Sequence, residues 1–513
     1  MTAPRRDEVL KLEESVRSSL AGPSTLLPFL LDLAARRGEH LYLVGGWLRD
    51  ALFGQPSNEV DLVARQASEL ALACSGERGA HLVRIDRRFG AFRLIPPGAE
   101  RAGPIKSLDL SPLRGSSILE DLRYRDFTVN AMAVDLLSWR NNGRLEFIDP
   151  LGGLADLRSG RLRACTSLSF VDDPLRVLRA YRLLASYPFS LESRTRAWIK
   201  EGSPRLGEVA VERVRDELSL ILETSRSARI FRMLDEDGVV QFLVPECEPM
   251  RGLEQNEYHH LDVWAHSLLT LEALEDLMAR PEILLPGWAR EVSSILGERL
   301  GGDRTRAGVV KLAALLHDVA KPICRKVGEM GAVHFHGHEV AGARLTASIC
   351  SRLRFSNQEI REVVELVRQH MRVGHLLRLD PPSSRALSRF FRLGPNLFWP
   401  LILLAAADHG ATRGPRSPGA DLIRLGQHMA RWLEFYHREL RPRETAPALI
   451  SGNDLMEELH LSAGPIVGRL LRRVRELQWD GRISSREEAL REASRLLARW
   501  SPRERQSSAS HSP

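Results

Sequence analysis

The stretch LYLVGGWLRDALFGQPSNEVDLVA, residues 41–64, decides the fold. It reads as an apolar strand, a turn at Gly45 and Gly46, an amphipathic helix, a loop, and a second strand with Glu59 and Asp61 flanking Val60. Glycine lacks a Cβ, so backbone N–H groups can approach a phosphate closely, and the helix N-terminus that follows adds partial positive charge. Residues i and i+2 of a strand share a face, which places the Cα atoms of Glu59 and Asp61 roughly 6.6 Å apart at ~3.3 Å per residue. Such a pair suits Mg²⁺, a cation that takes oxygen ligands and keeps waters and substrate phosphate oxygens. In isolation a Gly-Gly is more often a plain turn and an acidic pair more often a solvated strand face; the rest of the chain decides between these readings.

The chain has 513 residues, too many for one ordinary core, and about three or four units are expected. Lys and Arg number 73 against 66 Asp and Glu, a net charge of +7 that favours an acidic partner such as nucleic acid. Cys74, Cys165, Cys247, Cys324 and Cys350 are scattered with no CxxC pair, which argues against a disulfide framework or a thiolate zinc site and fits a reducing cytoplasm. The N-terminus has no apolar signal core, and the longest apolar run, LFWPLILLAAA at 397–407, is well short of the ~20 residues that span a bilayer. A soluble chain with no membrane partner is expected.

Strand-like stretches crowd into residues 41–111 (LYLV, EVDLVA, HLVRI, AFRLI, SLDLS), with RLEFID at 144–149 as another; from about residue 166 the periodicity is helical. This predicts an α+β chain. Residues 1–38 form a helical lead and 39–165 a mixed-sheet head. A helical neck over 166–235, an all-α body over 236–440 and a helical tail over 441–500 follow, and 501–513 are polar and disordered.

A third element, EDLRYRDFTVNAMA at 120–133, sets Arg123, Arg125 and Asp126 just before an apolar segment, so that cations and a carboxylate converge where a triphosphate needs them. In order, GGWLRDALFG, EVDLVA, RYRDFTVNAMA and DDPLRVLRAYR resemble the signatures of class II tRNA nucleotidyltransferases and bacterial poly(A) polymerases. The resemblance implies a head of the DNA polymerase beta type that transfers nucleotides from CTP or ATP to a tRNA 3′ end with Mg²⁺, Mn²⁺ being an alternative. It implies that Gly46, Arg49 and Arg125 contact the incoming nucleotide beside Gly45 and Asp126. Where the family has Asp-x-Asp this chain has Glu59-Val60-Asp61. Asp109, in SLDLS, is the third carboxylate expected on a neighbouring strand, which gives the catalytic and metal set Glu59, Asp61 and Asp109.

In DDPLRVLRAYRLL, Asp172 or Asp173 can N-cap a helix whose first position suits Pro174, and Arg176, Arg179 and Arg182 recur along one face. The resemblance implies that Asp173 and Arg176 read the Watson–Crick edge of the incoming base and that Arg179 and Arg182 contact nucleotide. A carboxylate accepts and a guanidinium only donates, so the pair can complement the mixed edges of cytosine or adenine. Only PLRGSSILEDLRY separates SLDLS from the RDFT motif. That shortening resembles enzymes that add CC alone. A poly(A) polymerase, or an RNA-binding phosphohydrolase with a decayed transferase head, are the alternatives.

Seven of the sixteen histidines lie between 259 and 338. LLHDVAKP sets His317 and Asp318 in an otherwise apolar helix, where unpaired polar groups are costly. With His266 upstream and Asp408 downstream the set resembles an HD-domain metal phosphohydrolase. His338 and His370 are candidates for a second divalent ion or for phosphate contacts. The segment from LISGNDLMEELH onward resembles the helical tail of HD-bearing tRNA nucleotidyltransferases and is expected to support the RNA.

Overall fold

The computed structural model describes residues 6–21, 26–54, 57–86, 90–98, 105–143, 145–255, 259–302, 304–328, 331–412 and 422–499. The expectation of a disordered 501–513 tail lies outside them. The chain divides into two compact units, Met1–Pro245 and Glu246–Pro513.

Apart from a short parallel pair, Arg161–Leu162 with Ser190–Leu191, the strands of the first unit belong to the head and are β1 (Tyr42–Val44), β2 (Glu59–Ala64), β3 (His81–Asp86), β4 (Ala91–Ile95), β5 (Ser107–Pro112), β6 (Ala133–Asp135) and β7 (Glu146–Ile148). They form one sheet in the order β3-β4-β5-β2-β1-β6-β7, in which only β2 and β5 pair in parallel. The six strands read from sequence are all present. The seventh, β6, was not read: it is only three buried residues, Ala133-Val134-Asp135, too short for alternation to mark it.

Register is what builds the site. Asp61 on β2 pairs with Asp109 on β5, Asp109 pairs in turn with Arg93 on β4, and Val44 on β1 flanks Asp61 from the other side. Cross-strand partners share a face, so a cation and two carboxylates line up across three strands. The opposite face is apolar: Val60, Leu62, Leu94, Leu108 and Leu110 pack into one core with Leu30 and Ala34 of the helix Leu26–Arg36 and Leu70 and Ala71 of the helix Ala67–Arg78.

The neck consists of helices, among them Arg176–Ser186, Ser193–Gly202, Val211–Leu222 and Ser227–Glu236. The first begins later than the expected cap: residues 173–175 form a tight turn in which the amide N–H of Arg176 donates to the Asp173 carbonyl at 3.0 Å, and that of Leu175 to the Asp173 carboxylate at 3.3 Å. Asp173 therefore caps a turn ahead of the helix, and Pro174 sits in that turn.

The second unit is helical apart from two short hairpins. Val263–Ala279 and Pro395–Ala411 pack against each other, and Arg306–Leu316, His338–Arg352 and Asn357–Gln369 complete the body. The tail helices Gly452–Glu458, Pro465–Trp479 and Arg486–Arg499 close a small core of their own around Leu455, Leu470, Val474 and Ala489. Among the described residues no single helix is long and apolar enough to cross a membrane; Ser384–Phe391 and Pro395–Ala411 pass only as a pair bent by 109°.

Candidate active sites

In the head, Gly45, Gly46, Asp61, Asp109, Arg125, Asp126, Asn130 and Arg179 are among the residues lining a cavity of about 160 Å³. Gly45 has φ +77°, and a Cβ there would fall 2.5 Å from Asp61 Oδ2. The glycine turn thus lets a carboxylate approach the backbone. Burial pushes the Asp61 carboxyl up to about 6; Arg125 opposes this and Asp109 adds to it. A carboxylate in that state lacks a full complement of positive charge.

Its two companions are differently placed. Arg93 donates from Nε and Nη2 to Oδ1 and Oδ2 of Asp109, both at 2.8 Å, and from Nη2 to Glu59 Oε2 at 3.3 Å. Glu59 is largely exposed, with 56% of its side chain open to solvent, whereas Asp109 is mostly enclosed. Among the described residues no three metal-capable side chains of the head bring their ligand atoms within 4.8 Å of one another. Uncompensated burial at Asp61 and an all-oxygen donor set nonetheless fit a hard divalent cation.

The expected nucleotide contacts are held in a network. Arg49 is buried and donates to Asn130 Oδ1 at 2.6 Å and to the Tyr187 hydroxyl at 2.9 Å, its guanidinium 4.4 Å from the centre of the Tyr187 ring. Arg125 donates to Asp121 at 3.2 Å and lines the cavity. Asp126 pairs with Arg179 at 3.0 Å and accepts from the Phe127 amide; burial alone would raise its carboxyl, but Arg179 and Arg176 hold it at about 2. Arg182 pairs with Glu217 at 2.7 Å.

Arg176 is buried and donates to three backbone carbonyls, those of Tyr124 (2.7 Å), Ser169 (3.2 Å) and Arg125 (3.3 Å). It pins the RDFT turn to the neck. Asp173 is bound instead by Arg213 of the helix Val211–Leu222, Nη2 to Oδ2 at 2.9 Å, and more than half of the Arg213 side chain is exposed. Sequence reading passed over Arg213 because VAVERVRDEL looks like an ordinary amphipathic helix. Arg93 was also passed over, although a lone cation in the apolar strand AFRLI was a signal.

In the body, His266, His317, Asp318, His338, His370 and Asp408 come together. Two triads form, His266 with His317 and Asp318, and Asp318 with His338 and His370, each with ligand atoms within 4.8 Å of one another and all buried. Helix ends supply them: His317 and His370 stand at the C-termini of Arg306–Leu316 and Asn357–Gln369, and His338 opens His338–Arg352. Nδ1 of His317, His338 and His370 lies 2.8, 2.8 and 2.7 Å from the carbonyls of Ala314, Phe335 and Val367. Each Nδ1 must donate, which turns each Nε2 inward; burial opposes charge on His317, but Asp318 beside its Nε2 raises that imidazole above its ordinary value.

Two of those nitrogens, on His338 and His370, face each other at 3.1 Å, with Asp318 Oδ1 3.3 and 3.9 Å away. Burial keeps His370 neutral by lowering it to about 3. Burial alone would raise Asp318, but His317 and Lys321 hold it well below the ordinary carboxylate range. None of its contacts has hydrogen-bond geometry at either Asp318 oxygen, nor does His317 Nε2. Imidazole nitrogens converging on a buried carboxylate fit divalent metal. His266 Nε2 contacts Asp408 Oδ1 at 2.9 Å, and Lys321 Nζ lies 2.6 Å from Asp318 Oδ2, a cation that sequence reading did not assign.

Comparison with known proteins follows the same regions. The family models "Poly A polymerase head domain", "Probable RNA and SrmB-binding site of polymerase A" and "HD domain" match residues 41–163, 188–250 and 263–389. Over 453 residues the chain is 33% identical to the A-adding tRNA nucleotidyltransferase of Deinococcus radiodurans, covering 87% of this chain and 93% of the relative. It is 33% identical, again over 453 residues, to the CC-adding tRNA nucleotidyltransferase of Thermus thermophilus, covering 87% and 91%. The solved CCA-adding enzyme of Thermotoga maritima complexed with tRNA has the same fold, with a TM-score of 0.56 and 22% identity over 91% of this chain and 94% of that one.

Proposed function

The chain belongs to the tRNA nucleotidyltransferase family, and from that premise we propose that it adds two CMP residues to the 3′ end of tRNA, selecting CTP with protein side chains in place of a nucleic-acid template. The observation that carries this reading is the alignment of Asp61 with Asp109 beneath the Gly45-Gly46 turn, in one cavity with Arg125. Asp61, Asp109 and Glu59 would hold Mg²⁺, which when bound supplies charge to stabilise the triphosphate and lowers the pKa of the attacking 3′ hydroxyl. Gly45, where a Cβ would fall 2.5 Å from Asp61 Oδ2, lets the turn close over that carboxylate. Arg125 meets the triphosphate, Arg49 holds the turn against Tyr187, and Asp126 with Arg179 ties the head to the helix behind Asp173. Asp173 accepts from the cytosine amino group and Arg213 or Arg176 donates to its acceptors.

The preference for CC rests on the link between β5 and Arg125. Ser117 caps the helix Ile118–Arg123, Asp121 accepts from the Arg114 amide and from Arg125, and Glu120 accepts from Ser116. A link that short and that bonded supports one base specificity better than a switch from cytosine to adenine. Transfer to tRNAs lacking CCA, CA or A, with each NTP supplied alone, tests it. Two CMP additions to the first substrate and no AMP addition to the last are expected; AMP addition to tRNA ending in CC overturns the preference, and long A tails would make the protein a poly(A) polymerase.

A second activity is favoured by the paired His/Asp triads: metal-dependent phosphoester hydrolysis in the body, with Lys321 at hand for a phosphate oxygen. Wild-type protein with Mn²⁺, Ni²⁺, Co²⁺ or Mg²⁺ should cleave a 2′,3′-cyclic nucleotide or a phosphomonoester, and Asp318→Ala should not. Equal activity in the two proteins overturns this assignment. The five cysteines are all free thiols, in keeping with a cytoplasmic enzyme.

A further inference from the structure

We propose that Arg93 is a positioning residue that occupies the metal-binding carboxylates of the head and must be displaced as cation and nucleotide load. The inference rests on the reading of Glu59, Asp61 and Asp109 as metal ligands. Arg93 stands opposite Asp109 in the β4–β5 register, so its place beside the acids is built into the sheet. The grip is bidentate: both Asp109 oxygens accept at 2.8 Å, and the same Nη2 that holds Oδ2 reaches Glu59 at 3.3 Å. With both oxygens taken, Asp109 cannot turn either fully toward a metal. A guanidinium and a divalent cation also repel each other across the few ångströms that separate them.

The arrangement divides the acids into two classes. Asp61 makes no ion pair among the described residues within 4.0 Å and lines the cavity, open to a cation. Asp109 and Glu59 become ligands only as Arg93 leaves. About a third of the Arg93 side chain is already exposed, so rotation into solvent needs no movement of the sheet. A triphosphate entering with its own cation brings negative charge that can receive the freed guanidinium, and this ties metal loading to nucleotide binding. Glu59 takes part through its length: an aspartate at this position would be one methylene shorter and would draw back from Nη2.

The test is Mn²⁺ binding to the full-length protein without nucleotide, followed by electron paramagnetic resonance. Sites lost in Asp61→Asn are head sites, which separates them from any ion in the body. Arg93→Met should bind head Mn²⁺ about tenfold more tightly than wild type, since a neighbouring positive charge has been removed. Arg93→Lys, which keeps the charge but not the bidentate grip, should fall between them. Thermal melting accompanies each measurement, and if Arg93→Met does not fold, Arg93→Lys carries the test alone, with tightening of about threefold expected. Head affinity equal to or weaker than wild type in the folded variants overturns the inference while leaving the ligand reading intact. If Asp61→Asn removes no site, the ligand reading has failed, and the inference with it.

Discussion

The head and the body each gather acidic side chains for a divalent cation, and they do so in opposite ways. In the body, three imidazoles are locked by backbone carbonyls so that each Nε2 points inward, and Asp318 lies among them beside Lys321. That site is assembled before any ligand arrives. In the head, Asp61 makes no ion pair among the described residues while Asp109 and Glu59 are held by Arg93, so the proposed ligand set would be complete only once something displaces a side chain. A preformed site binds its metal tightly and keeps it. A site held by an internal cation binds metal together with its substrate, which suits an enzyme that must release pyrophosphate and accept a new nucleotide at every step.

The sharpest way to break the comparison is a double dissociation. Asp61→Ala should reduce CMP transfer by on the order of a thousandfold, about 4 kcal/mol of lost transition-state stabilisation, and leave phosphoester hydrolysis unchanged. Asp318→Ala should do the reverse. Radiolabelled CTP incorporation and release of nitrophenol from its phosphate ester, run on the same preparations, check both arms. If either variant loses both activities, the sites are not independent.

The next largest effect is on stability. The Asp61 carboxyl is raised by burial to about 6, so the folded state binds its proton more tightly than the unfolded chain does. The stability it contributes is fully present below pH ~4, near the ordinary aspartate value, and is lost as pH rises through about 6. In EDTA at pH 7.5, Asp61→Asn should therefore be more stable than wild type by at most about 3 kcal/mol, and the difference should shrink toward pH 4. Urea unfolding at both pH values measures it. Adding Mn²⁺ should stabilise wild type selectively, because the metal supplies the missing positive charge. The body offers a contrast, since His317 and Lys321 hold Asp318 well below the ordinary range and its carboxylate needs no such relief.

Much of this was legible in the chain, because the informative residues are chemically improbable where they stand. A histidine and an aspartate side by side after the apolar run VVKLAALL, or two acids alternating in EVDLVA, need a reason, and the six strands announced themselves by alternation or by glycine boundaries. What stayed hidden was partner choice. Nothing in DDPLRVLRAYR tells that Arg176 will turn back to three carbonyls of the head and neck, or that Asp173 will be met by Arg213, forty residues away. An arginine has the same local signature whether it binds solvent, backbone or nucleotide. Only the packing of the neck helices on one another separates these fates.

That packing makes base selection a smaller but more specific test. If Asp173 and Arg213 form the exposed reading pair and Arg176 holds the turn, Arg213→Ala should lower the preference for CTP over ATP by about tenfold to a hundredfold, the range of one lost bidentate contact. Arg176→Ala should chiefly lower the melting temperature, because the carbonyls of Tyr124, Ser169 and Arg125 lose the one side chain that joins them. Competition between labelled CTP and ATP, with melting curves on the same proteins, resolves the two roles. Loss of selectivity in Arg176→Ala without loss of stability would return the reading role to Arg176.

The smallest expected effect is at Glu59, the first acid of the Glu59-Val60-Asp61 pair, and it bears directly on how the head differs from the body. Glutamate keeps the charge and both oxygens but adds a methylene, and its exposed carboxylate spends that length on the 3.3 Å contact with Arg93. An exposed contact of this kind is worth at most about 1 kcal/mol, so shortening the side chain changes the occupancy of Arg93 only modestly. Mg²⁺ demands near-octahedral ligands at ~2.0 to 2.1 Å, while Mn²⁺ also accepts carboxylate and water ligands. Glu59→Asp should accordingly raise Mg²⁺-supported turnover by about threefold, with less change in Mn²⁺, whereas Glu59→Ala should be nearly inactive with either metal. Steady-state CMP transfer at saturating tRNA, titrated with each metal, gives all the ratios needed. Wild-type rates in Glu59→Ala would remove Glu59 from the ligand set and leave Asp61 and Asp109 to hold the metal, with Arg93 then answering to Asp109 alone.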